Sequence, residues 1–405
     1  MKQSLSKFKD FFINILASIL LTGMTQIFVY PMLGRFFSAS EYGTILTLIG
    51  VVNAIGASLG SPLNNTKILM NSLYINKKYE GDYNLVAIIC VIVSFFSTTI
   101  ISSVVRHQFT TESIALGIIT ALVFYRAYYS AGYRIVINYN KVLCSNICGV
   151  IGYIVGIILL NITGEWYWTF LCGEAFSCVY ITFTSNIVKS PIKKTPLFGK
   201  MIERFGCYFV ANSFSYGISY MDRFFLYPIL GAESVSMYTT ASILGKVAGI
   251  IMTPISGVLL TYYCKEDNLT TKQFRKRMSI YFVLSVIAYL GIVVLGYPIL
   301  KILYPTLAPM ARPYFYVANL GSIVLLLGDT IMPTLLRYAK PYWAPTVQGI
   351  FAGSYIIVGF IGMKLAGLSG FCYAVLAVNT IRVAILLVVS YITIKKLNKK
   401  EIKND

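Results

Sequence analysis

The chain has 405 residues, 57% of them hydrophobic and only 12% charged, with a formal charge of +19 and a mean hydropathy of +0.72. No water-facing globular domain has that balance, and the apolar windows leave no stretch over for a separate soluble domain. The basic residues sit beside apolar windows, so the positive charge is accounted for without nucleic acid.

In chain order, Lys2, Lys7 and Lys9 precede an apolar run, 11–33, that is too long for a signal-peptide core and lacks an A-x-A cleavage pattern. It is expected to be a retained first helix. Apolar windows long enough to cross a bilayer, about 20 residues each, follow at 43–62, 84–105, 114–136, 142–162, 166–187, 205–230, 238–263, 279–300, 313–336, 343–363 and 371–394. The sequence therefore predicts an all-α polytopic membrane protein of about twelve transmembrane helices. Lysines and arginines flanking spans stay on the cytoplasmic side. With both termini inside, the inner segments hold 25 of the 34 basic residues and the outer loops hold five: Arg35, Arg106, Lys301, Arg312 and Lys364.

The remaining four, Arg126, Arg223, Lys246 and Arg382, fall inside predicted helices together with Glu174, Asp222 and Asp329. Charges persisting in a membrane face an internal cavity or each other, and mark substrate or ion paths. The four cations are candidate anion contacts, and the three acids are candidates for proton or sodium coupling. The tyrosines around Arg126, among them Tyr128 and Tyr129, offer faces for sugar rings. Internal ion pairing is the plainer account of the same charges.

The basic, proline-bearing segment KSPIKKTPLFGKMIER divides the chain into residues 1–188, a connector 189–204, residues 205–398 and a tail 399–405. Tyr30-Pro31-Met32-Leu33-Gly34 returns as Tyr227-Pro228-Ile229-Leu230-Gly231, each copy leading through a glutamate (Glu41, Glu233) to a tyrosine (Tyr42, Tyr238). Two six-helix lobes related by a pseudo-two-fold along the membrane normal are expected from that repeat. Small residues four apart, Gly152 with Gly156 and Ala241 with Gly245 and Gly249, predict close helix seams. Pro254 and Pro333 predict kinks. The eight cysteines form no C-x-x-C pair and are expected as small core residues; His107 is expected in a loop, and no metal site or cofactor is indicated.

The corner Gly34-Arg35-Phe36-Phe37-Ser38-Ala39-Ser40-Glu41-Tyr42-Gly43, with Met221-Asp222-Arg223-Phe224-Phe225-Leu226 followed by Leu230-Gly231-Ala232-Glu233 and Tyr238, resembles the polysaccharide-export branch of the multidrug/oligosaccharidyl-lipid/polysaccharide (MOP) superfamily, and within it the Wzx-type O-antigen flippases. Ser38 and Ala39 depart from that pattern, as does Met237. Twelve spans rather than fourteen set the chain apart from the lipid II flippase relatives. The resemblance implies a bacterial inner-membrane transporter rather than an enzyme. It would move a polyprenyl (undecaprenyl) pyrophosphate-linked glycan of O-antigen or lipopolysaccharide type across the bilayer, beside polymerase and chain-length partners. It adds Arg35, in the corner, to the candidate substrate contacts. The rivals are a drug or small-cation antiporter of the same superfamily, and a polytopic polymerase or glycosyltransferase acting on the same carrier lipid. Short outer loops disfavour the last, and the lack of a phosphate loop disfavours direct ATP-driven pumping.

Overall fold

A computed structural model of the chain describes residues 13, 16–17, 19–79, 81–250, 252, 259, 263, 269–340 and 342–401, with side chains to 398. Lys2, Lys7, Lys9, Pro254, Cys264, Lys265 and the end of the tail lie outside the described residues.

Among the described residues every regular element is helical. α1 is a π-helical stretch, Met24–Val29, running into Tyr30–Phe36; α2 is Ala39–Lys77, α3 Asp82–Arg106, α4 Thr111–Tyr129 with a short coda Ala131–Ile135, α5 Tyr139–Thr163 and α6 Tyr167–Thr184. α7 comprises Phe198–Ser219 and Met221–Leu230; α8 begins at Ala232–Ala241; α9 runs from Thr271 to Leu303 through a π-helical turn, Ile292–Gly296; α10 is Ala308–Tyr338. A continuous helical trace, Trp343–Glu401, is two helices: Ala366 and Gly367 have non-helical angles, Gly367 with φ +56°, so α11 ends and α12 begins there. Among the described residues, each predicted span contains helix, and seven stretches meet the length and hydropathy of a membrane crossing individually. α1 and α8 are described only in part, α6 is 18 residues long, and α7 is interrupted at Tyr220.

The helices overrun the apolar windows where polar residues find partners. α2 continues to Lys77, past the expected end at 62, because Asn64 donates to the Ala127 carbonyl at 2.7 Å and Thr66 to the Pro62 carbonyl at 2.8 Å. α9 starts eight residues before its window, where Thr270 and Gln273 form a reciprocal cap.

Side-chain sorting is inverted relative to a soluble protein. Ser94, Thr120, Thr169 and Ser177 have no exposed surface, while Phe214, Phe183 and Leu365 are 70%, 80% and 81% exposed. Lipid tails are as apolar as leucine, so interior contact is made by small and hydrogen-bonding residues. The predicted glycine seams lie there: a Cβ on Gly152 would stand 2.3 Å from the Cys172 carbonyl oxygen and one on Gly156 2.6 Å from that of Trp168, fixing α5 against α6. Gly245 packs likewise on Ser322 of α10. Of the described cysteines, Cys90, Cys178 and Cys372 are buried as expected, whereas Cys144 and Cys207 are exposed. His107 ends α3 in the left-handed conformation.

The chain forms two compact units, Met1–Val29 with Thr44–Phe225, and Tyr30–Gly43 with Leu226–Asp405. The boundary between the two units falls within α7. In the first unit the connector is tied down: Asp82, fully buried at the start of α3, accepts from the Thr195 N–H at 2.6 Å and from Tyr74 at 2.7 Å, and Asn84 donates to the Ser190 carbonyl at 2.7 Å. In the second unit α8 bends at Ser242, and the Asn319 amide of α10 enters the gap. It donates to the Ala241 carbonyl at 2.6 Å and accepts from the Gly245 N–H at 2.8 Å, replacing the one rung that the bend removes.

Gly156→Val is expected to destabilise the protein by about 1–3 kcal/mol through overpacking. Its melting temperature in detergent should fall, whereas Gly206→Ala, at a helical position with open space around it, should hold or raise it.

Candidate functional site

Four of the seven intramembrane charges form two ion pairs, Arg126 with Glu174 and Arg382 with Asp329. In the first unit, Arg126 of α4 meets Glu174 of α6 side-on, Nε to Oε2 at 2.6 Å and Nη2 to Oε1 at 3.1 Å. The Tyr153 hydroxyl of α5 donates to the same carboxylate at 3.3 Å. The pair is a bidentate, charge-assisted joint among three helices, with Glu174 only 5% exposed and Arg126 27%. The plainer account of Arg126 and Glu174, internal pairing, describes what these two groups do.

Arg223 is buried at the opening of the second segment of α7. Its Nη1 donates to the Leu46 carbonyl of α2 at 2.8 Å, and its guanidinium lies 5.4 Å from the Tyr220 ring centre. α2 admits it because a glycine faces it: a Cβ on Gly50 would come 3.3 Å from Arg223 Cδ. Asp222 is also buried, and its carboxylate accepts from the Arg223 backbone N–H at 2.9 Å. In the second unit, half-buried Lys246 sits one turn beyond the bend in α8 at Ser242, its ammonium 5.4 Å from the Tyr238 ring centre.

Arg382 of α12 is 4% exposed. Nη2 donates to Asp329 Oδ1 of α10 at 2.8 Å, the guanidinium lies 5.0 Å from the Phe351 ring centre of α11, and Gly328 provides the room beside it. Its Nε and Nη1 have no hydrogen-bond acceptor among the described residues, while Asp329 is 42% exposed. A buried guanidinium with one of its three nitrogens satisfied is set to accept further anionic oxygens, since leaving charged donors unmet costs more than making the bond gains.

The other candidates lie at helix ends and in the core. Arg35 donates from Nε to the Leu303 carbonyl at 3.1 Å and from Nη2 to that of Ile302, closing the C-terminal end of α9. Its corner is a packing joint. Gly34 lies against the Tyr304 ring, the Tyr42 and Tyr304 hydroxyls are 3.2 Å apart, and a Cβ on Gly43 would overlap the Ala232 carbonyl of the second copy. Tyr128 and Tyr129, 1% and 8% exposed, belong to a tyrosine-rich core with Tyr74, Tyr83 and Tyr133 rather than to a sugar-facing surface. Sequence reasoning missed Asp82, Asn64 and Asn319. Asp82 lies two residues before the predicted window 84–105; the asparagines are lone amides within or beside apolar runs, the one available signal.

No protein-family profile matches the chain, and no curated protein matches it in sequence. Its fold is that of known membrane transporters. An inward-facing multidrug resistance MATE family transporter of the MOP superfamily covers 94% of this chain and 96% of its own, at 13% identity and a TM-score of 0.68. Lipid II flippase MurJ in an inward closed conformation matches over 96% of this chain and 89% of its own, at 16% identity and 0.62. A mutant of the Vibrio cholerae MATE transporter VcmN matches over 100% and 98%, at 11% identity and 0.57. A lipid II flippase thus shares this fold, although the predicted span count set such relatives apart.

Removing one partner of a buried pair strands the other charge. Arg126→Met is expected to destabilise the protein by about 3–5 kcal/mol, and Arg126→Met with Glu174→Leu to recover most of the loss; thermal unfolding in detergent reads both.

Proposed function

We propose that this chain is a flippase that carries polyprenyl pyrophosphate-linked oligosaccharide repeat units, of O-antigen or a similar surface polysaccharide, from the cytoplasmic to the periplasmic leaflet of a bacterial inner membrane. Two six-helix lobes, 1–188 and 205–398, joined by the connector 189–204, alternate in access, with both termini and the tail 399–405 cytoplasmic. The membrane-transporter fold supports transport as the general activity. The observation that carries the choice of an anionic substrate is Arg382, a buried guanidinium with two nitrogens awaiting acceptors.

A pyrophosphate entering low-dielectric surroundings loses its hydration. A guanidinium replaces that water with paired N–H donors that an ammonium lacks. Arg382 is the first receptor in this reading, with the exposed Asp329 yielding as phosphate oxygens arrive. Arg223 and Lys246 supply further positive charge, and Arg126, locked to Glu174, holds α4 to α6. Asp329 is also the accessible carboxylate of the three candidates for ion coupling. The chain then works with an ion gradient or with polymerase and chain-length partners that consume the flipped product.

A drug or small-cation antiporter is the second reading, favoured by the same exposed Asp329 and by the MATE fold. The test is reconstitution into vesicles with a fluorescent polyprenyl-pyrophosphate oligosaccharide and, separately, a cationic dye. Wild-type protein is expected to translocate the lipid, Arg382→Ala to slow it at least about tenfold, equivalent to about 1.4 kcal/mol, and Arg382→Lys to recover only part. Dye movement without lipid movement overturns the proposal in favour of the second reading, and full lipid flipping by a folded Arg382→Ala protein overturns Arg382 as the pyrophosphate receptor.

A further inference from the structure

At one end of the second unit the first turns of α9 meet the last turns of α12. Buried Phe274, Leu269 and Ile394 form a small core there with Met278, Tyr338, Leu387 and Tyr391 against it, and the Asn398 amide hydrogen-bonds Thr271 at 3.1 Å. Beside this core lies an open groove of about 440 Å³ lined by Phe274, Arg275, Met278, Leu387, Val388 and Tyr391. Its deeper wall is apolar and its rim is cationic. Arg275 donates to the Tyr391 hydroxyl at 3.3 Å, and its guanidinium and the Lys395 ammonium lie 5.7 and 6.0 Å from the Tyr391 ring centre. Lys272 and Lys276 stand exposed on the same turns of α9. No ion pair among the described residues neutralises Lys272, Arg275, Lys276 or Lys395; Glu266 and Asp267 lie outside the described residues.

We infer that this groove binds an anionic phospholipid, its phosphate held at the Arg275–Tyr391–Lys395 rim and an acyl chain laid along Met278, Leu387 and Val388. Three features point to that occupant. The cations are concentrated where the helices leave their apolar windows, at headgroup depth, where each lysine or arginine gains from an anionic surface. Tyr391 presents the amphipathic ring that suits such an interface, with its hydroxyl toward the charged rim. The groove below is continuous with apolar outer surface, Val388 being 56% exposed, so a chain enters sideways from the bilayer. A soluble anion would meet the rim but have no use for the groove. The groove does not include Arg382, and the proposed occupant does not depend on what the protein transports.

The test uses the full chain in zwitterionic detergent, with lipid retention read by native mass spectrometry and stability by thermal unfolding. Phosphatidylglycerol is expected to remain bound and to raise the melting temperature by several degrees, with phosphatidylcholine and soluble glycerol phosphate leaving it unmoved. Arg275→Gln with Lys276→Gln and Lys395→Gln should lose most of the shift, and so should Val388→Trp, which fills the groove while keeping every charge. The connector variant Lys189→Gln, Lys193→Gln and Lys200→Gln removes equal charge elsewhere and should keep the shift. Equal stabilisation by phosphatidylcholine, reproduction by glycerol phosphate, an undiminished shift in either groove variant, or an equal loss in the connector variant overturns the proposal.

Discussion

Inside a bilayer there is no water to accept a stray hydrogen bond, and an unmet polar group costs several kcal/mol. That constraint accounts for most of what holds these helices together. Apolar burial contributes little between helices whose outer faces meet lipid, so specificity comes from close glycine seams and from polar side chains that find one another or a carbonyl. The Ser145 and Ser177 hydroxyls hydrogen-bond at 2.8 Å, Asn379 donates to the Gly321 carbonyl at 2.9 Å, and Asn84 gathers the connector. Where a charge is present the same rule is stricter, and Glu174 is met by both Arg126 and Tyr153.

Against that background the two ion pairs differ. Arg126 and Glu174 meet with two hydrogen bonds and a buried carboxylate, an arrangement that resists exchange of partners. Arg382 and Asp329 meet through one, with the burial reversed: the cation is enclosed and the acid is open. Symmetric satisfaction makes a joint; asymmetric satisfaction leaves capacity for a third party. The functional reading follows from that asymmetry more than from the sum of charges.

The helices were legible because twenty-residue apolar windows and loop charge asymmetry are imposed by the bilayer itself. Their ends were not, since α2 and α9 extend through polar residues stabilised by Asn64 and by the Thr270 cap, interactions invisible along one strand of letters. The glycine seams at Gly152, Gly156 and Gly245 were legible for the converse reason, spacing alone placing them on one face. The charged residues were found but their roles were not. Arg35 read as a corner cation and closes the end of α9, and Tyr128 and Tyr129 read as a sugar-facing pair and lie in the core. Side-chain identity locates a polar group; only the fold says which neighbour reaches it first.

The bend in α8 bears on how the protein is made. The carbonyl of Ala241 and the N–H of Gly245 are completed by a residue 74 positions downstream of Gly245. A chain synthesised from its N-terminus at roughly 5–20 residues per second therefore delivers α8 several seconds before its missing rung exists. Until α10 emerges, α8 must remain straight, with its own rung intact, or stay near the water-filled exit of the insertion machinery. The buried form of the bend is thus complete only once a later helix has docked.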